Sequence, residues 1–261
     1  MKGSHLSFAE MRRLSAELFE RHRVQTIPET TPSAVTPTVL AFAASSLDGL
    51  PIIEVPVVPD QQYGMYCWCF DGVLEKVKHD GGGIRLGWVI WEWPNAFLNA
   101  EFHAVWIDPA GQLLDITPKP LGEKSILFAP DPTYPHVLDL AHRPRNRRTR
   151  IYASAGDPSE IARRIASMKP GQVAYQRRRA GKADMTLEQW LASNMPEDPW
   201  KSAIDESIDA CAAFERRMDD FPAGVNIRDA ELELLCNRRE AALRKLESLW
   251  HRQRDTGASS R

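Results

Sequence analysis

The stretch from Ile84 to Pro118 constrains the fold most, because it reads as consecutive strands joined by connections too short for anything but antiparallel pairing. Ile84 to Trp93 is rich in Trp, Val and Ile and is closed by Pro94. In residues 98–107, Glu101, His103, Val105 and Ile107 fall on one face and Phe102, Ala104 and Trp106 on the other. Asp108-Pro109-Ala110-Gly111 is a turn, and a third strand is expected from Gln112 to about Thr117, ended by Pro118. With the turn centred near Pro109-Ala110, positions 103 and 115 share the midpoint 109, which places them nearly opposite each other.

The flanking segments predict an α+β chain. Residues 6–23 read as an amphipathic helix through Leu6, Phe8, Met11, Leu14, Leu18 and Phe19. Prolines recur from Pro28 to Pro59, which argues for extended chain and edge strands, with Thr38–Ala44 and Ile52–Val58 as pieces able to pair with a sheet. Phe70 to His79 reads as a short helix stopped by Gly81-Gly82-Gly83. Ile126–Phe128 adds a further strand, and the proline- and arginine-rich run from Pro130 to Arg150 is expected as loop. Beyond Asp157 the pattern is helical. It has a helix over Asp157–Met168, a capping box at Thr186-Leu187-Glu188-Gln189 opening a helix to about Ser193, and two amphipathic helices at roughly 198–220 and 227–253. Their apolar stripes predict an antiparallel helical hairpin, an element suited to oligomerisation or docking. The resulting division is an N-terminal helix (1–25), a core (26–155) and a helical region (156–261).

Bulk properties exclude several classes. The 261 residues carry a formal net charge of −2, so the chain as a whole has no strong attraction to nucleic acid, and no nucleic-acid partner is expected. Arg143, Arg145, Arg147, Arg148 and Arg150 form a basic run, expected as a solvated loop, with phosphate or an acidic partner as the alternative. Four cysteines are too few for a disulfide scaffold, and their spacing is not that of a zinc site. No metal or organic cofactor is implied. No apolar run is long enough to span a membrane and no secretory signal is visible, so a cytoplasmic location is expected.

Three residues have the order and spacing of a thiol-based site. A thiol attacks a carbonyl as thiolate, which requires a lowered pKa. A helix N-terminus and a neighbouring imidazolium both supply this, and the imidazole needs an acceptor on its other nitrogen. Cys69 precedes the 70–79 helix, His103 lies mid-strand, and Asp115 lies on the next strand across the turn. Cys67 is the alternative nucleophile, Glu101 the alternative orienting carboxylate, and Gln61 or Gln62 a candidate oxyanion donor. The plain reading of Cys67 and Cys69 is two small hydrophobes in a buried segment.

This order resembles the papain-like superfamily, in particular its transglutaminase-like branch. The Asp115-Ile116-Thr117-Pro118 element is similar to the Asp-x-Thr or Asp-Pro-Thr that follows the histidine strand there. The stretch from Cys69 to Asp131, about a quarter of the chain, also resembles a group of uncharacterised bacterial proteins. The matching residues are Cys69, Val73, Gly81-Gly82, Gly87-Trp88, Trp91-Glu92, Glu101-Phe102-His103-Ala104-Val105-Trp106 and Asp115 to Pro118. Gly72 departs from that pattern, which has Asn there. Gln61, six residues before Cys67, and Trp68 after it are similar to the papain arrangement. The resemblance implies a papain/transglutaminase-like core and a cysteine-dependent hydrolase or acyltransferase acting on an amide or peptide. The rival expectations are a catalytically silent binding module on the same core and a defence- or phage-associated interaction protein.

Overall fold

The computed structural model describes residues 6–23, 29–134, 144–220 and 229–258. In chain order its elements are α1 (Phe8–Arg23), α2 (Pro37–Ser46), β1 (Ile53–Pro56), α3 (Cys69–Asp80), β2 (Gly83–Trp93), β3 (Phe97–Ile107), β4 (Leu113–Leu114), β5 (Ser125–Pro130), β6 (Arg147–Arg150), α4 (Pro158–Ser167), α5 (Pro170–Lys182), α6 (Leu187–Ser193), α7 (Pro199–Met218) and α8 (Ala230–Ala258). The chain is α+β, an antiparallel sheet followed by helices.

The two long strands β2 and β3 pair along their whole length, with Gly87 opposite His103. The strand order is β1-β5-β2-β3-β4, and β6 pairs with the opposite end of β3 from β4. An isolated parallel bridge between Val57 and Asp115 ties the continuation of β1 to the end of β4. Asp115 N donates to Pro56 O at 2.9 Å, and Val58 N donates to Asp115 O at 2.8 Å. The outer strands thereby meet, and the sheet closes into a barrel-like ring. Val55, Val57, Val89, Val105, Ile126 and Phe128 pack on its inner face. The outer face carries Ile84, Leu86, Trp88, Phe102, Ala104 and Trp106, packed with Val73 of α3 and Phe42 of α2. Fully burying side chains of this size stabilises by about 2 kcal/mol each.

Four expectations need correction. Thr38–Ala44 is helical, within α2. Thr36 caps this helix, its Oγ1 accepting from Val39 N at 3.2 Å, and Pro37 stands in the first turn, where its missing N–H costs nothing. The third strand is only Leu113–Leu114, because Asp115 leaves the β3 ladder to bridge β1. The turn centre lies one residue later than expected, with Trp106 opposite Leu114 and Ile107 opposite Leu113. The end of the arginine run is strand, not loop. β6 pairs with β3 from Phe97 to Ala100 and so covers that stretch of its edge. Arg143 of that run lies outside the described residues.

The remaining arginines are tied to carboxylates. Arg145 pairs with Asp219, Arg148 Nη2 with Glu215 Oε1 at 2.7 Å, and Arg150 with both oxygens of Asp157 at 2.7 Å. These pairs hold α4 and α7 against β6. The α7–α8 hairpin is antiparallel, since Arg217 meets Asp229 near one end and Ser207 Oγ donates to Ala242 O further along. Trp200, Ile204 and Leu246 of the hairpin bury against Trp93 and Phe97 at the β2–β3 turn, a cluster that spans residue 155. Among the described residues no helix is long and apolar enough to cross a membrane.

Candidate functional site

The site is built at the join of the ring. In the observed register Asp115 falls across from Val105, diagonal to His103 rather than opposite it. Diagonal neighbours on one face remain within side-chain reach. His103 Nε2 and Asp115 Oδ2 are 3.0 Å apart, with His103 only 7% exposed and Asp115 fully buried. The other oxygen, Oδ1, accepts from Thr117 N at 2.9 Å, which makes Asp115-Ile116-Thr117 an Asx turn and gives the motif a physical reason.

Sequence reasoning missed Lys119. Its Nζ lies 2.6 Å from Asp115 Oδ2, and it too is buried. It stands four residues after Asp115, immediately beyond Pro118. That placement was legible, but burial of an ammonium there was not. Burial alone would push the Asp115 carboxyl up; the charges of His103 and Lys119 and their hydrogen bonds outweigh it and hold the group well below its ordinary value. Burial pulls the His103 imidazole down, but the Asp115 charge and that of a Cys69 thiolate outweigh it. Lys119 opposes them, and the net shift is upward, to about 9.

Cys69 is the first residue of α3. Trp68, at the N-cap, supplies no side-chain hydrogen bond to the helix, so the first-turn N–H groups have no side-chain cap there. The body of α3 lies on the outer face: Val73 packs in the cluster of Phe102, Ala104 and Trp106, and Lys76 Nζ sits 4.4 Å from the Trp106 ring centre. His103 and Asp115 are on the inner face. The helix and the histidine therefore do not share a face of β3; Cys69 itself packs against the outer-face cluster, and its thiolate charge adds to the upward push on the His103 imidazole. Because Nε2 is engaged by Asp115, Nδ1 is the ring nitrogen left to meet a thiol.

Cys67 is exposed, with a left-handed backbone at φ 67°, and Cys69 is partly buried. Neither is a fully buried hydrophobe. Glu101 accepts from Trp91 Nε1 at 3.0 Å, and Asp115 is the carboxylate that holds His103 Nε2. Gln61 and Gln62 are exposed in the turn capped by Asp60, where Gln62 N donates to Asp60 Oδ1 at 2.8 Å and Gln61 O accepts from Arg12. Gln61 lines a cavity of about 310 Å³ with Arg12, Phe19, Met65 and Pro118, a wall that includes none of the three site residues. Packing of α1 on the loop ahead of Cys69 continues through Phe19 and His22, both against the Tyr66 ring.

Among the described residues no group of three His, Cys, Asp or Glu side chains is arranged to hold a metal ion. No protein-family model matches the chain, and no curated protein or solved structure is detectably similar to it.

Proposed function

We propose that the chain is a cysteine-dependent hydrolase or acyltransferase of the papain/transglutaminase-like type, acting on an amide bond. One observation carries the reading: the buried His103–Asp115 pair at 3.0 Å, in a chain that sets Cys69 at the head of α3. Raised to about 9, His103 is an imidazolium near neutral pH and favours the thiolate.

In this reading the Cys69 thiolate attacks the carbonyl carbon, and N–H groups of the first turn of α3 receive the developing oxyanion. The C–N bond then breaks as the proton on His103 Nδ1 passes to the leaving nitrogen, which leaves a thioester on Cys69. Water or an amine attacks the thioester, gives its proton to His103 and restores the thiolate. Asp115 fixes the ring orientation throughout. The same half-reaction serves a peptidase, an amidase, a deamidase and a transglutaminase.

The test is labelling by iodoacetamide across pH 5 to 9, mapped by mass spectrometry. Rapid, nearly pH-independent alkylation of Cys69, lost in Cys69→Ala and slowed in His103→Ala, is expected. Equally slow alkylation of all four cysteines with an ordinary thiol pH profile would overturn the reading in favour of a binding module.

A further inference from the structure

α1 lies over the loop that leads to Cys69, and the seam between them holds the cavity of about 310 Å³. Ring contacts fasten this seam, Phe8 to Tyr63 and Phe19 to Tyr66. Arg12 Nη2 donates across it to Gln61 O at 3.2 Å.

Two features of the cavity wall favour an anion. Ser15 is the one fully buried residue of α1, at 5% exposure, and it lines the cavity. It is polar, and its hydroxyl has no hydrogen-bond partner among the described residues. A buried hydroxyl left unpaired opposes folding, and an acceptor inside the cavity would satisfy it. Arg12 is the second feature. Its guanidinium meets a neutral carbonyl and, among the described residues, no carboxylate. The acids around it are already engaged. Asp60 Oδ1 accepts from Gln62 N and Tyr63 N at 2.8 Å, and Oδ2 accepts from Lys76 Nζ at 2.7 Å. Glu17 of α1 pairs with Arg13 at 2.6 Å.

The rest of the wall is largely apolar, with Phe19, Met65 and Pro118 among its residues. The volume admits about ten non-hydrogen atoms at roughly 30 Å³ each. A guanidinium and a hydroxyl match the two oxygens of one carboxylate. Asp60 also lines the cavity, so a phosphate dianion would meet a like charge there.

We infer that this seam binds a small free monocarboxylic acid, its carboxylate held by Arg12 and Ser15 and its apolar body seated on Phe19, Met65 and Pro118. The cavity wall includes neither Cys69, His103 nor Asp115, so the inference stands apart from the thiol reading.

The test is an NMR titration of the full chain with three six-carbon probes, hexanoate, hexan-1-ol and hexylammonium. Hexanoate is expected to saturate one site at about 1 mM or tighter, with the largest amide shifts at residues 12–16 and 60–65. The neutral and cationic probes should bind at least about tenfold more weakly, a comparison that needs no variant to fold. Arg12→Gln keeps a donor for Gln61 O and removes the charge, and should weaken hexanoate by about tenfold. Ala16→Phe, at an exposed helix position on the cavity wall, should fill the space and abolish binding. No saturation by hexanoate below about 10 mM, equal affinity for the three probes, or binding untouched by both variants would overturn the inference.

Discussion

Lys119 Nζ and His103 Nε2 converge on one atom, Asp115 Oδ2, at 2.6 and 3.0 Å, in a place where the carboxylate has no exposed surface. Two cations sharing one buried oxygen keep the acid ionised, and each moderates the charge of the other. Lys119→Met removes one of them and leaves the other to satisfy Asp115. A loss of about 3 kcal/mol in urea unfolding is expected, at the low end for breaking a buried pair. Lys119 opposes protonation of His103, so the imidazole of the variant should titrate at higher pH, as read by histidine NMR. An unchanged or lower titration midpoint would contradict the shared-oxygen arrangement.

The same trio gives stability a defined pH window. His103 is raised from 6.5 to about 9, so its contribution is complete below pH 6.5 and is lost as pH climbs through 9. Asp115 is depressed from 3.8, so its contribution is present above about pH 4 and is lost as pH falls through its lowered value. Denaturant midpoints should therefore be flat between pH 4.5 and 6.5. They should drop toward pH 10 by on the order of 3 kcal/mol. In His103→Gln the alkaline drop should be mostly absent.

Gly72 is held to glycine by a close backbone approach. A Cβ there would sit 2.1 Å from the carbonyl oxygen of Tyr63, so the helix backbone packs directly on the loop that delivers Cys69. Gly72→Ala should destabilise by about 3 kcal/mol, and Gly72→Asn by at least as much. Thermal melts of the two variants against wild type decide the matter. A neutral Gly72→Asn would mean the loop adapts freely.

Arg148 reaches from the sheet edge to Glu215 of α7, with only 11% of its side chain exposed. Arg148→Met strands Glu215 and weakens the tie between sheet and hairpin. A loss of about 2 to 3 kcal/mol is expected. Because Trp200 and Leu246 share a cluster with Trp93 and Phe97, unfolding should remain a single transition by both tryptophan fluorescence and circular dichroism. Two separated transitions would show that residues 156–261 stand apart.

Local patterns were legible wherever one periodicity ruled. The alternation around His103 fixed which residues share its face, and the glycines after Asp80 fixed the end of α3. Thr36-Pro37 shows where reading by composition fails: a helix cap and first-turn proline were hidden in a stretch whose other prolines argue for extended chain. β6 was missed because its arginines read as solvated, whereas Arg147 lies over the Trp88 ring and Arg148 and Arg150 find carboxylates at distant helices. The His103–Asp115 contact was anticipated, but the geometry offered for it was a direct cross-strand pair. The diagonal contact depends on Asp115 leaving one ladder for another, a long-range event that leaves no local trace. The buried state of Lys119 is of the same kind.

Asp115 does two jobs with different atoms. Its backbone fastens β1 to the end of β4, and its side chain steadies the imidazole. The clasp of the ring and the anchor of the histidine are thus one residue. Any thiol reactivity that depends on His103 therefore requires this seam to be closed, because opening it frees the carboxylate that aims the imidazole.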